Sequence, residues 1–485
     1  MRVFSNKRLL KKCVAASCIF ALLILIFYWA SGDRLYYEEW NSSIPEAQEL
    51  IANIHDGSEL EFEVTDVCDY LYSLSLYIGS IGDASTGSLD VRLETESGKQ
   101  IKEYKEPLTE FAEYNYHEFR LDEPYQMDKG DHLKVLITTE GVSEEQNVSL
   151  WLNNSFSTGK YALSDMNQNT FMLDGHEMHG KVCHYIYGRK YYLLGRIFWP
   201  AAGILFVLFV LYVFHLANSF LEGKKSLGVE AYVTYNRYKF LMKQLVGRDF
   251  KKKYKRSVLG FGWTILNPLL MMAVQYLIFS TLFKSSIENF ITYLLTGIVL
   301  MNFFTESIGL GLTSIIDNAH LINKVYMPKG IYPLSRVLSS TVNLVLAMIP
   351  LLLVAIIAGS PVSKAMLLIP IDLLFLLLFC FGMVLLLSTS MALFKDTFFI
   401  WSVLSTLWMY MTPIFYPIDI IPQQFLGIYK LNPMYQYITF MRSILIYGQA
   451  PTPMNYLGCI VSAVVLLALG YYVFKKNEDK FILYL

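Results

Sequence analysis

Charge is what this sequence is short of. Only 17% of its 485 residues are Asp, Glu, Lys or Arg, where soluble domains carry roughly 25%. With 54% hydrophobic residues and a mean hydropathy of +0.38, a wholly soluble protein is excluded. Nucleotide-binding motifs are also missing. No G-x-x-x-x-G-K-[ST] occurs; EGKKS at 222–226 comes nearest and lacks both the first Gly and a preceding strand. The chain therefore has no phosphate cradle with which to use a nucleotide itself. There is no H-E-x-x-H, no paired metal-binding cysteines and no nucleophile elbow, so the usual metal and acyl-transfer chemistries have no carrier. Nothing favours an enzyme, and no metal or cofactor is expected on this chain.

Cysteines number six. Cys13, Cys18, Cys380 and Cys459 fall in apolar segments and read as small hydrophobes. Cys68 and Cys183 lie in a polar region, and a disulfide could join them if that region is extracytoplasmic; their pairing is not readable from sequence.

The formal net charge of −1 hides an asymmetry. Residues 31–190 hold 30 of the 41 acidic residues but 12 of the 40 basic ones, a net −18 against +17 for the remainder. An acidic, soluble-looking segment is thus spliced into a basic, apolar chain. Before it, CVAASCIFALLILIFYWA at 13–30 is uncharged and just long enough to span a bilayer. MRVFSNKRLLKK, with five cations and no acid, places the start in the cytoplasm. Tyr28 stands where a cleavage site would need a small residue, so an uncleaved anchor is expected. After the acidic segment, IFWPAAGILFVLFVLYVFHLA at 197–217 is a second span, which makes the intervening domain extracytoplasmic.

That domain alternates apolar and polar residues. Leu60, Phe62 and Val64 interleave with glutamates, Leu89, Val91 and Leu93 with other charges, and YSLSLYI, HLKVLIT and NVSLWLN repeat the period of two. One wet and one buried face per strand, with about seven strands, predicts an antiparallel β-sandwich.

From 241 the character changes again. Met242, Val246, Phe250 and Tyr254 recur every four residues, joined by Leu241 and Leu245, while most cations lie elsewhere on the wheel. Six cations and one Asp within 248–256 then run into an apolar stretch. This predicts an amphipathic helix lying in the cytoplasmic interface. Six further spans are expected near 263–283, 290–312, 337–358, 366–393, 398–416 and 455–474. Lys324, Lys329, Arg336, Lys395 and KKNEDK at 475–480 then fall on the cytoplasmic side. The segment 417–452 is apolar but broken by Pro and Gly, and reads as short re-entrant or interfacial helices. The fold class is a multi-pass α-helical membrane protein of about eight spans, with an inserted extracytoplasmic β-sandwich. Its parts are 1–30 (cytoplasmic start and first span), 31–195 (β-sandwich), 196–220 (second span) and 235–485 (interfacial helix and six spans).

Four stretches in order now carry a resemblance: RDFKKKYKRSVLGFGWTILNPLL, NFFTESIGLGLTSIIDNAHLINKVYMPKGIYPLSRVL, MALFKDTFFIWSVLSTLWMYMTPIFYP and LNPMYQYITFMRSIL. From about 245 to 445, and on to the C-terminus, the chain resembles the permease subunits of ABC-2 type exporters, in the branch that moves O-antigen and teichoic-acid glycans. The resemblance does not cover residues 1–230, so the first two spans and the β domain are an addition. Asn267-Pro268 stands where many relatives have Gln-Pro.

The resemblance implies a homodimeric permease in the cell membrane, with both termini cytoplasmic. A separate ATPase subunit would bind ATP and Mg, and the cargo would be a lipid-linked glycan; no nucleic-acid partner is expected. It implies a gate helix on which Arg248, Asp249, Lys253 and Arg256 meet the lipid pyrophosphate, Arg in bidentate geometry and Lys as a point charge, with membrane-surface binding alone as the alternative. Asn323, Lys324, Val325, Tyr326 and Pro328 would form a coupling helix seated in the ATPase. Trp263, Phe303, Phe304, Trp408, Tyr410, Phe415 and Tyr416 would line the channel, where rings stack on sugars, or else pack between helices. Glu306 lies inside an apparent span, where an acid faces a cavity or a partner, or sits at the interface. In the β domain, Trp151 alternates onto the wet face between Leu150 and Leu152 and is a candidate glycan-binding residue, a structural or protein-docking role being open. Export of a drug or lipid, or a receptor or scaffold sensing through the β domain, are the competing readings.

Overall fold

The computed structural model describes residues 7–44, 52–54, 56–64, 68–81, 87–111, 115–128, 131–142, 147–150, 152–153, 170–179, 181–224, 226–255, 257–283, 289–322 and 327–481. Two compact units emerge: Met1–Leu35 with Ile197–Leu485, and Tyr36–Arg196.

The smaller unit is built from strands. They are β1 (Tyr37–Ile44), β2 (Ala52–Ile54), β3 (Glu59–Val64), β4 (Tyr70–Ile81), β5 (Ser88–Thr95), β6 (Gln100–Pro107) and β7 (Asn115–Gln126). There follow β8 (Leu133–Glu140), β9 (Asn147–Leu150), β10 (Leu152–Asn153), β11 (Thr170–Leu173), β12 (His176–His179), β13 (Lys181–Val182) and β14 (His184–Tyr191). One six-stranded sheet runs β1-β14-β4-β9-β2, with β7 also on β4; the other runs β12-β11-β3-β8-β5-β6. All ladders are antiparallel. The predicted alternation is present: β3, β5 and β8 bury every second residue. Leu71, Leu74, Leu76 and Ile78 of the first sheet share one core with Leu60, Phe62, Val91 and Ile137 of the second, which makes the unit a sandwich. Its strands number fourteen among the described residues rather than about seven, because several are only two to four residues long.

No disulfide joins Cys68 to Cys183, a correction to the pairing considered above. Cys68 lies against Gly188, where a Cβ would meet its Sγ at 1.9 Å. The carbonyl of Cys183 accepts from Tyr77 at the other end of the same ladder. Five residues along β14 separate the two sites by roughly 17 Å, far beyond disulfide reach.

The larger unit is helical. It contains α1 (Lys7–Ser31), α2 (Leu193–Leu221), α3 (Leu227–Tyr254), α4 (Trp263–Phe283), α5 (Phe290–Leu312) and α6 (Ala319–Ile322). After these come α7 (Ile331–Ile357), α8 (Ile369–Leu393), α9 (Thr397–Tyr410), α10 (Gln423–Leu431), α11 (Pro433–Leu445) and α12 (Pro453–Asn477). Seven helices are long and apolar enough to cross a membrane among the described residues: α1, α2, α4, α5, α7, α8 and α12. Of these α5 is the most enclosed, and it packs on α4, α7, α8 and α11. Glycines let α8 and α12 touch: a Cβ on Gly470 would meet the Gly382 carbonyl oxygen at 2.2 Å. Small residues at such crossings replace the hydrophobic drive that lipid removes.

The span expected at 398–416 is shorter than a bilayer. As a helix, α9 has 14 residues, about 21 Å at 1.5 Å per residue, against a hydrocarbon core of about 30 Å. Pro413 and Pro417 end it, since proline disfavours helix at the residue before it. The freed backbone groups find side-chain partners. Arg442 of α11, buried, donates from Nη1 to the Pro413 carbonyl (2.8 Å) and from Nη2 to those of Ile414 and Tyr293 (both 3.2 Å). Its guanidinium carbon also lies 3.3 Å from the Tyr293 ring centroid. Asn432 accepts from Met434 N (3.1 Å), capping α11, and from Trp408 Nε1 (2.8 Å), and it donates to Thr412 Oγ1 (2.9 Å). The short helices expected within 417–452 are present as α10 and α11.

Burial pushes the Cys68 thiol up to about 11, so little thiolate exists at pH 8. Alkylation of the native chain at pH 8 followed by peptide mapping is expected to leave Cys68 unlabelled, with no Cys68–Cys183 linkage without reductant. Rapid labelling, or a linked peptide, would contradict this arrangement.

Candidate functional site

Helix α3 begins at Ser226, whose hydroxyl accepts from Val229 N at 3.4 Å. With Glu230 in its first turn and Lys251, Lys252 and Lys253 in its last, the charges oppose the helix dipole at both ends. Its apolar stripe is seated: Met242 and Leu245 are buried with Ile315, Ile322, Ile331, Tyr332, Phe474 and Phe481. The predicted amphipathic helix thus packs on the residues around α6, the start of α7 and the end of α12. It also starts fourteen residues before the periodicity at 241 becomes legible, at Leu227.

The polar residues of α3 divide into two groups. Asp249 turns inward, with 6% of its side chain exposed, and meets Nη1 of Arg336 on α7 at 2.9 Å. Arg248 Nε and Nη2 hold its other oxygen at 3.1 Å. Nη2 of Arg336 continues to Asp317 (3.1 Å), whose same oxygen accepts from Thr313 Oγ1 (2.9 Å). A chain of charge therefore runs from α3 through α7 to the turn that precedes α6. One helical turn further on, Lys253 Nζ reaches Glu306 Oε1 of α5 at 2.7 Å, and that oxygen also accepts from Asn343 Nδ2 of α7 at 2.6 Å. Glu306 is thus paired rather than bare. Arg256 lies outside the described residues.

Lys253, Trp263, Phe303, Glu306, Asn302 and Asn343 line one cavity of about 580 Å³, with Asn267, Thr264, Thr305 and Ser340. Amide and hydroxyl groups face an indole and a phenyl ring across it. Such a mixture offers hydrogen bonds and a stacking surface together, which is what a sugar presents in return. Pro268, the helix-start proline of the Asn-Pro pair, also borders it.

Other aromatic residues named from sequence stand elsewhere. Phe304 is fully buried between Phe379, Trp401 and Trp408, with ring centroids at 5.3–6.0 Å, and is a packing residue. It faces the side of α5 opposite the cavity, which matches the packing alternative for this ring. Phe415 is buried and stacks on Phe279 at 5.7 Å. Trp408 is tied to Asn432. The Tyr416 hydroxyl donates to the carbonyl of Tyr410, itself 60% exposed, at 2.6 Å. Asn323, Lys324, Val325 and Tyr326 lie outside the described residues, as does Trp151. Pro328 is described; its carbonyl accepts from Ile331 N at 3.1 Å, opening α7.

Arg336, Asn343, Asn432 and Arg442 were not singled out by sequence reasoning as site residues. Arg442 had a legible signal, an arginine among apolar residues at membrane depth. For Asn343 and Asn432 no spacing rule exists, because their partners lie 37 and 24 residues away.

The ABC-2 type transporter family matches the chain over residues 241–446, which hold α3 from its apolar stripe onward, the cavity and the broken segment. The O-antigen export system permease protein RfbA of Myxococcus xanthus is 30% identical over 246 residues, 50% of this chain and 95% of that protein. Two permease proteins of the same name from Klebsiella pneumoniae are 30% identical over 244 and 243 residues, each covered to 93%. With the apolar helices, the amphipathic helix and the cavity in place, the chain belongs to the ABC-2 type transporter family and is a transporter's membrane component.

Proposed function

We propose that this chain is the permease subunit of an ABC exporter that carries a lipid-linked polysaccharide outward across the cell membrane. A separate ATPase subunit binds ATP and magnesium and supplies the energy. The observation that carries this reading is the 30% identity to O-antigen export permeases, across the stretch that builds the cavity and the interfacial helix. Two copies form the pathway. Both termini are cytoplasmic and the β domain is outside, α9 with its extension to Tyr416 serving as the eighth crossing.

On this reading the chain's own residues act in three places. Lys253 presents its ammonium at the cavity, where a lipid phosphate competes with Glu306 for it. Trp263 and Phe303 stack against sugar faces, while Asn302, Asn343 and Ser340 exchange hydrogen bonds with hydroxyls as the polymer slides. The segment containing Pro328 seats in the ATPase. Its motion reaches α3 through Asp317, Arg336 and Asp249, because buried ion pairs resist separation.

Depletion of the chain in its source cells is expected to raise the lipid-linked glycan, measured by mass spectrometry of extracted lipids, while one surface polysaccharide disappears. Unchanged levels of both would remove the polysaccharide assignment. Arg336→Leu removes the enclosed partner of Asp249 and leaves it only the half-exposed Arg248, a loss below the roughly 3–5 kcal/mol of a buried charge left wholly unpaired. The expected phenotype is a lower thermal midpoint and ATP hydrolysis without export in the reconstituted complex. Asp249→Leu added to Arg336→Leu should recover the midpoint but not the export. Undiminished export by Arg336→Leu would contradict the proposed link.

A further inference from the structure

One face of the β domain is paved with tyrosines that the motifs above do not use. On β14, Tyr185, Tyr187, Arg189 and Tyr191 alternate outward, while His184, Ile186 and Gly188 are buried. Neighbouring strands add rings in register. Tyr191 meets Tyr37 of β1 (5.7 Å) and Tyr70 of β4 (5.0 Å). Tyr187 meets Tyr72 edge-on at 5.9 Å. Tyr185 meets Tyr116 of β7 at 4.5 Å across the small Ser75 between them, and Tyr116 meets Tyr77 at 4.8 Å. Arg189 joins the Tyr191 end of the run to its middle, its guanidinium 4.0 Å from the Tyr37 ring and 5.0 Å from Tyr72.

This is an unusual use of surface. Each of Tyr185, Tyr187 and Tyr191 remains 37–38% exposed. The sandwich core is complete without them, so packing does not require rings at these positions. Tyrosine combines a flat apolar face with a hydroxyl tip and loses little side-chain entropy on binding, the pairing that recognition surfaces select. Along β14 the outward positions recur every second residue, about 6.7 Å apart, with Arg189 between the rings of Tyr187 and Tyr191, and the run from Tyr185 to Tyr191 covers roughly 20 Å. That is a strip for a linear chain of stacked rings, not a pocket for one small molecule.

Charge selects among linear chains. The strip's own charges balance, Arg120 and Arg189 against Glu39 and Glu118, while residues 31–190 as a whole carry −18. A polyanion, nucleic acid or a phosphate-rich polymer, is repelled by such a domain. A neutral polysaccharide is not, and its sugar rings stack on tyrosine faces while its hydroxyls meet tyrosine hydroxyls, Glu39 and Arg189. We propose that this tyrosine strip on β14, β4, β1 and β7 is a binding site for a neutral polysaccharide, laid lengthwise along β14. The choice of ligand rests on the exporter reading: the strip would hold the exported polymer as it emerges.

The test uses the full-length chain in nanodiscs. The probe is surface polysaccharide from the source cells, freed of lipid by mild acid, with dextran sulfate as the polyanion control; binding is read by calorimetry. Wild type should bind the polysaccharide and not the polyanion. Tyr72→Ala with Tyr187→Ala should weaken binding at least tenfold, and Tyr187→Phe less than threefold, since the ring and not the hydroxyl does the stacking. Lys105→Ala, on the other sheet, should change nothing. Should the alanine pair not fold, Arg189→Gln carries the test with an expected loss of at least threefold. Absent binding, equal binding by every variant, or an alanine pair that instead dissociates an oligomer on sizing would overturn the proposal, the last marking the strip as a protein interface. If depletion of the chain raises lipid-linked glycan yet the strip binds none, the strip alone is rejected. If depletion changes no glycan, the exporter reading itself falls.

Discussion

Within hydrocarbon a polar group has no water to turn to, and this constraint organises the helical unit. Every break in a helix and every ion at membrane depth must be answered by another part of the protein. Arg442 answers the carbonyls freed where α9 ends, and Asn432 caps α11 while holding Trp408 and Thr412. Glu306 is answered by Lys253 and Asn343, and Asp249 by Arg336 and Arg248. These answers are also the connections between elements. A helix lying in the interface could leave its cations to lipid head groups; here two of its residues are tied instead to α5 and α7.

That arrangement ties the amphipathic helix α3 into the bundle on both of its sides. Its apolar side shares a cluster with residues flanking α6 and with Phe474 and Phe481 near the chain's end. Its polar side reaches Asp317 through Arg336. The turn before α6 is therefore linked to α3 by packing and by charge together, and Lys253 at the cavity stands on the same helix. Exposed ion pairs hold little. The Asp249–Arg336 pair is nearly enclosed, and parting it leaves each charge with only its more exposed second partner, Arg248 or Asp317.

Much of this was legible in the residues. Strict alternation in β3, β5 and β8 announced a two-layer sandwich, because a period of two has one structural meaning when one face is wet. The long apolar helices, the acidic insert and the amphipathic stripe at Met242 and Leu245 were readable for similar reasons. Pro413 and Pro417 carried the information that α9 is short, yet hydropathy alone runs through them. The disulfide was out of reach, since register decides whether two cysteines meet, and β14 places Cys183 far from Cys68. Which side of a helix an aromatic faces is equally a tertiary matter: Phe303 and Phe304 are neighbours in sequence, one lining the cavity and the other buried among Phe379, Trp401 and Trp408.

The central claim is that Lys253 of α3 and Glu306 of α5 act as one charge pair at the cavity. Charge exchange tests it most directly. Lys253→Glu and Glu306→Lys are made singly and together, and polysaccharide export is measured for each in cells lacking the native chain. Each single reversal sets like charges 2.7 Å apart in the native geometry and should abolish export, whereas the exchanged pair should recover a substantial part of it. A double variant no better than either single would show that the two residues act separately, and the account of a paired site would fail.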